Sequence, residues 1–215
     1  MAQIFPSKFN VLPHVSLGIM AVGGILAVFA VWYWFSPEYT DVGYAPEQPV
    51  PYSHRLHVDE LGMDCRYCHS MVEVADISNI PSTETCMNCH QLVKPQSLDL
   101  LPVRESWATG HSVEWIKVHH LPDYAQFSHA VHLNVGVGCE TCHGPVNEMD
   151  VIRQVEPLSM GWCLDCHRQP ELYLRPPGQV TNMDYVQPPD FVERNLDRIQ
   201  SAGIRPPTNC SACHY

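Results

Sequence analysis

The sequence is short of charge, and shortest of positive charge. Only 16% of its 215 residues are charged, against about 25% in ordinary soluble domains. Lys and Arg number 12 and Asp and Glu 23, a formal net charge of −11. No basic stripe is available to neutralise phosphates, so nucleic-acid binding is excluded. A length of 215 residues allows one or two domains. The 19 prolines crowd the second half, which excludes long helices and a continuous sheet there.

Long apolar runs are missing too, except for one. Residues 15–35 (VSLGIMAVGGILAVFAVWYWF) hold no charge and no proline. As a helix this run spans about 31 Å, matching a hydrocarbon core of ~30 Å. Trp32, Tyr33 and Trp34 end it where an interfacial aromatic belt belongs, and Pro37 stops it. A cleaved leader would have a shorter run and a small-residue cleavage site. The reading is a transmembrane helix over 15–35, with residues 1–14 cytoplasmic and 36–51 a linker. Lys8 precedes the span and Glu38, Asp41 and Glu47 follow it, which sets the orientation by the positive-inside rule. Ala21, Gly24 and Ala27 either form a small-residue face for a partner helix or reflect ordinary membrane-helix composition.

No cysteine stands outside a motif. All 10 fall into five copies of C-x-x-C-H: Cys65/Cys68/His69, Cys86/Cys89/His90, Cys139/Cys142/His143, Cys163/Cys166/His167 and Cys210/Cys213/His214. Two cysteines three apart share one face of a helical turn and can form thioethers with the two vinyl groups of one porphyrin. The next residue then aims its imidazole at the iron. Zinc ribbons pair cysteines this way but do not require a His after each pair. Five such histidines by chance have odds of roughly one in a million. A disulfide scaffold would show mixed spacings. The pattern reads as five covalently attached c-type haems.

Five irons with two axial positions each call for five more ligands. His54 and His57, in YSHRLH, and His129 and His132, in FSHAVH, form two aromatic-Ser-His-x-x-His pairs just before haem motifs. A pair three apart on a helical turn can reach two different irons. The fifth ligand comes from His119 or His120, in VHHLP. That leaves the other one, His111 and His14 aside. A methionine, with Met160 and Met183 the candidates, is the alternative; packing is the plainer role for both.

Residues 52–69 match 127–143 with one residue deleted, which marks an internal duplication. The domain plan is a first di-haem unit and connector over 52–126, a second di-haem unit over 127–169, and a Pro-rich wrap over 170–215 with the terminal haem. One helix interrupts the wrap, with Asp190 as N-cap, Phe191, Val192, Leu196 and Ile199 on its apolar face and Gly203 as its stop. The expected fold class is a multihaem cytochrome c. It is sparse and mainly α, with extended Pro-rich segments around five haems and one N-terminal transmembrane helix. The acidity either steers a basic partner or is simply solvated.

These motifs resemble class III, cytochrome c7-like, multihaem proteins. The longer strings YSHRLHVDELGMDCRYCHS, IPSTETCMNCHQLV, WIKVHHLPDYAQFSHAVHLNVGVGCETCHGPV and MGWCLDCHRQPELYLRP resemble a narrower family, the pentahaem cytochrome subunits (ActA) of bacterial alternative complex III. The resemblance favours His119 over His120 as ligand. It implies a respiratory or photosynthetic membrane complex that oxidises quinol and reduces a periplasmic carrier. The neighbours it implies are integral membrane and iron–sulfur subunits and a monohaem cytochrome subunit. The expected role is electron relay toward a soluble cytochrome c or a blue copper acceptor, with no substrate chemistry of its own. The alternative is a single-anchor multihaem quinol dehydrogenase feeding a periplasmic reductase. A nitrite- or hydroxylamine-converting enzyme would need an open iron, often with lysine in place of a motif His, and all five motifs here end in His. Haem attachment places the module on the periplasmic side of the inner membrane.

Overall fold

Residues 6–214 of a computed structural model of the chain are described. Contacts divide it into two units, one ending at Asp41 and one beginning at Val42.

The first unit is built on α1 (Leu12–Trp34), entered through a 3-10 turn at Ser7–Val11. Pro13 sits in its first turn, where a missing N–H costs nothing. Its 23 residues span about 35 Å. Leu17, Ile19, Met20, Val22, Leu26 and Phe29 are all exposed, so the helix is apolar all round and buries no face in protein. It is a candidate membrane span by length and composition. Proline does end it: Pro37 opens a separate short helix, α2 (Pro37–Thr40).

The second unit holds no β-strand among the described residues, only isolated bridges at Ala125–His214 and Val137–Leu174. Four of the five cysteine motifs make short helices: α3 (Cys65–Cys68), α4 (Thr83–His90), α7 (Cys139–His143) and α8 (Met160–Arg168). The fifth makes a 3-10 turn, Cys210–Ala212. Between them lie α5 (Leu101–Thr109), α6 (His129–Val135) and α9 (Phe191–Ala202). The Asp64 carboxylate caps α3 by accepting from Arg66 N, and Ser159 Oγ caps α8 by accepting from Trp162 N.

The buried apolar set is small. One cluster joins Val50, Met87 and Val103, with Trp115 and Leu100 against it; Leu133, Val137, Met149, Leu174, Val180 and Phe191 are buried elsewhere. Residues 42–51 are tied into this unit. Gly43 N donates to Gln154 O (2.8 Å), Gln154 N to Tyr44 O (3.0 Å), and Gln48 trades two hydrogen bonds with the Ile116 backbone (2.8 and 2.9 Å).

The duplication is visible in the backbone. In the second copy the His pair lies on α6, an ordinary α-helix. In the first copy Arg55–Glu60 is a π-helix, and Leu61 N reaches back five residues to Leu56 O (3.1 Å). A π-turn holds one more residue per turn than an α-turn, which accommodates the residue that separates the two copies.

Helix α9 corrects one expectation. Phe191 and Asn195 form its buried line, while Val192 and Leu196 are 41% and 51% exposed. Asn195 is a core residue because its side-chain amide donates to Glu171 O (2.9 Å), and Arg198 follows one turn on, donating to Val135 O (3.1 Å) and to Arg175 O. Polar anchoring to bare carbonyls outweighs hydropathy on this face. Asp190 precedes the helix but makes no side-chain cap; its carboxylate takes Arg194 instead (2.6 Å). Gly203 ends the helix in the left-handed region (φ 64°).

Gly136 ends α6 at φ 100°, and a Cβ there would stand 2.0 Å from Arg175 O. Gly136→Ala is therefore expected to cost at least ~2–3 kcal/mol, from strain plus a backbone clash. Thermal melting of the haem-loaded protein checks this, and an unchanged melting temperature would contradict it.

Candidate haem-attachment sites

Each Cys pair is presented by a helical turn, and four of the five following imidazoles are oriented by a backbone carbonyl. His69 Nδ1 pairs with Asn79 O (2.7 Å), His90 with Val93 O (3.0 Å), His167 with Pro207 O (2.6 Å) and His214 with Tyr124 O (3.4 Å). Three of the histidines outside the motifs follow the same rule. His57 Nδ1 pairs with Ser53 O (2.8 Å), His132 with Ser128 O (2.7 Å) and His129 with Asp76 O (3.0 Å). A carbonyl only accepts, so Nδ1 must carry the proton and Nε2 is left with its lone pair. That is the tautomer of an imidazole that binds a metal through Nε2.

The aromatic residue that opens each His pair has a role the sequence did not reveal. Tyr52 stacks on His57 (centroids 4.3 Å, 21°) and meets His54 edge-on (4.8 Å, 85°). Phe127 stacks on His132 (4.6 Å, 28°) and meets His129 edge-on (4.8 Å, 84°). One ring thus fixes two imidazoles at right angles, pointing them to different places. Both copies use the same geometry.

The second His of each pair faces the next motif but one along the chain from its own position. His57 and His90 lie with ring centroids 6.2 Å apart, and His132 and His167 lie 6.1 Å apart. Two imidazoles sharing one metal ion at about 2 Å each have ring centres roughly 6 Å apart. The first His of each pair belongs to a central group. His143 has His129 at 6.4 Å, nearly parallel (9°), and His119 at 4.4 Å, nearly perpendicular. His54 and His69 complete this group through their electrostatic contact with each other and with His143. His119 Nε2 is buried with no hydrogen-bond partner, the state of a nitrogen whose partner is not a protein atom, and His54 Nδ1 is buried without a carbonyl to orient it. His120 and His111 are exposed, and His111 lines a shallow cleft with Glu105 and Glu114. His214 faces the Tyr124 ring at 5.8 Å. Met160 is 64% exposed at the start of α8, and Met183 is half-buried.

Burial favours the neutral form of four of these imidazoles. It lowers His143 to about 3 and His54 to about 4, with neighbouring imidazoles adding to each, and lowers His119 and His132 as well. Burial first, then Cys166 and Cys163, pushes the Cys142 thiol up to about 12. The cysteines of all five motifs are free of disulfides. Among the described residues no three His, Cys, Asp or Glu side chains converge as a bare ion would need. The donor set fits a flat group with one thioether edge and two axial imidazoles. Sequence reasoning missed the orienting carbonyls, which carry no side-chain signal, and the Arg175–Glu140 ion pair. That pair locks the third motif to Arg175, which lies over the Tyr185 ring at 4.7 Å.

Comparison with known proteins agrees with this chemistry. Residues 125–215 match the family of cytochrome c7 and related cytochrome c. The matched stretch holds the second His pair and three of the motifs. The chain is also 36% identical over 127 residues to the "menaquinone reductase, multiheme cytochrome c subunit" of Nitratidesulfovibrio vulgaris Hildenborough, covering 57% of this chain and 56% of that one. The chain thus spans about half the length of that curated relative. The two matches support a multihaem cytochrome in which the Cys pairs hold c-type haem and which serves electron transport.

Asp64 ties the first motif to the wrap. Its carboxylate accepts from Arg66 Nε (2.8 Å), Arg66 N (2.8 Å) and Thr181 Oγ1 (3.1 Å). The Arg66 hydrogen bond chiefly holds the carboxyl at about 2. A depressed carboxyl contributes stability above its unfolded pKa of about 4 and loses it as pH falls toward 2. Asp64→Asn keeps a side chain able to cap and removes the charge, and is expected to cost about 0.5 kcal/mol at pH 7 for a largely exposed pair. The difference from wild type should shrink as pH drops from 4 to 2, read from melting curves at each pH. A difference independent of pH would rule out the charge.

Proposed function

We propose that the chain is a membrane-anchored pentahaem cytochrome of the alternative complex III kind. It relays electrons within a quinol-oxidising complex toward a periplasmic acceptor, a soluble cytochrome c or a blue copper protein. The observation that carries this reading is the pairing of imidazoles from separate segments at 6.1–6.2 Å beside Cys-x-x-Cys turns. Bound haem supplies one-electron exchange between ferrous and ferric iron.

The chain supplies everything else. Cys65 and Cys68, Cys86 and Cys89, Cys139 and Cys142, Cys163 and Cys166, and Cys210 and Cys213 provide the thioether sulfurs. His69, His90, His143, His167 and His214 are the axial ligands within the motifs. His57 and His132 provide the opposite ligands for the second and fourth sites, and His54, His119 and His129 provide the rest. An imidazole on each side of the second and fourth sites leaves no position there for a substrate, which supports a protein that carries electrons. Helix α1 anchors the module to the inner membrane, with the module in the periplasm. There it meets integral membrane, iron–sulfur and monohaem cytochrome subunits.

The similar protein is named for reducing menaquinone. That favours a second reading, in which the same relay runs toward the quinone. The two readings differ in partners and direction, not in this chain's residues.

The test begins with intact mass, expected at the peptide plus five haems. The reduced wild type should bind no carbon monoxide, and His57→Ala should open one binding equivalent. A bare peptide mass, or several equivalents in the wild type, would end the proposal. Native purification in mild detergent decides the direction. Quinol-driven reduction of an added cytochrome supports the first reading, and donor-driven menaquinone reduction supports the second.

A further inference from the structure

We propose that the five attachment motifs are ordered in space as second, first, third, fourth, fifth, so that the electron path ends at Cys89 on one side and Cys210 on the other. The inference rests on the reading above and adds the path that the chain imposes.

The duplication supplies the first argument. In each copy the second His leaves its own motif and faces the following one: His57 to His90, and His132 to His167. The first motif is thereby joined to the second, and the third to the fourth. The first His of each copy stays inside. His129 lies against His143, and its Nδ1 is held by Asp76 O of the loop after the first motif (3.0 Å). The first and third motifs are therefore the shared centre, with the second and fourth on opposite flanks.

Direct contacts agree at each joint. Between the first and second motifs, Asn88 Nδ2 donates to Tyr67 OH (3.2 Å), and both residues lie inside C-x-x-C turns. Between the first and third, Ala130 N donates to Ala75 O (3.2 Å) and Asn134 Nδ2 to Glu73 O (3.2 Å). Between the fourth and fifth, His167 Nδ1 pairs with Pro207 O (2.6 Å), three residues ahead of Cys210; Gln126 N, just ahead of the second His pair, donates to Cys213 O (2.8 Å) and ties the fifth motif to the second copy. Cys142 feels Cys163 and Cys166, and Cys163 feels Cys213. The helix of the second motif packs away from this line, onto α5, with Thr83 Oγ1 and Ser106 Oγ 2.6 Å apart.

Exposure follows the same order. Cys89 and Cys210 are the exposed cysteines, one in each terminal motif; those of the first, third and fourth motifs are shielded. Electrons enter and leave most readily where a site reaches the surface, so the two ends face the partners.

The experiment uses the full haem-loaded chain, with mass first confirmed at five haems. His90→Met keeps an axial ligand and raises the potential of its own site. A redox titration should then show one neighbouring potential moved and three unmoved. His69→Met should move two neighbours and leave two. If His90→Met instead moves two neighbours, the motifs run in chain order and the proposal fails. Cryo-electron microscopy of the loaded protein gives the iron positions independently of any variant. The iron at Cys86/Cys89 should have the Cys65/Cys68 iron as its only near neighbour, and a second near neighbour at Cys139/Cys142 would overturn the order. A mass below five haems defeats both the functional reading and the order, whereas five haems with the wrong neighbours defeat the order alone.

Discussion

One hydrogen bond, repeated, governs the arrangement: a backbone carbonyl accepting from histidine Nδ1. It fixes the tautomer and the ring direction at His57, His69, His90, His129, His132, His167 and His214. Two of the rings held this way on the His pairs, His57 and His132, stand 6.1–6.2 Å from a second ring. Three of the carbonyls come from segments far away in sequence: Asp76 for His129, Pro207 for His167 and Tyr124 for His214. Placing an imidazole therefore also folds the Pro-rich wrap over the sites. Proline suits that task, since it fixes φ and keeps its C=O while giving up a donor the segment does not need.

Burial supplies the second constraint. Taking an imidazolium out of water is costly, so buried rings stay neutral and available as ligands. His143, the most enclosed ring, is the most strongly depressed, and His54, His119 and His132 are lowered too. The protein core is correspondingly meagre: a Val50–Met87–Val103 cluster and scattered single residues. Such a core is too small to fold some 170 residues alone, and cofactor surface must supply the remaining burial.

Much of this was legible in the sequence. The cysteine spacing fixed where helical turns must form, because only a turn places both sulfurs on one side. The apolar run announced α1, although that helix starts at Leu12 rather than Val15. The repeat was readable as a match with one residue deleted. Three things were not. A carbonyl acceptor is common to every residue, so Asn79, Val93 and Pro207 look ordinary. The buried line of α9 runs through Asn195, whose amide satisfies Glu171 O, and hydropathy cannot anticipate a polar residue that is buried because it is bonded. The role of Tyr52 and Phe127 as shelves for two imidazoles needs three dimensions.

The extra residue in the first copy shows how strongly the His geometry constrains the backbone. An insertion between a fixed imidazole pair and a fixed Cys-x-x-Cys turn has two outlets: a shift of the ring or a change in the helix. The rings are unshifted, since the Tyr52–His57 and Phe127–His132 stacks differ by only 0.3 Å in centroid distance (4.3 against 4.6 Å). The backbone absorbs the insertion as a π-turn over Arg55–Glu60. π-Turns are poorer in packing than α-turns and persist mostly where function holds them. The costlier helix is thus retained so that His54 and His57 keep the places that His129 and His132 occupy in the other copy. Ring position, not helix regularity, is what the duplicated unit preserves.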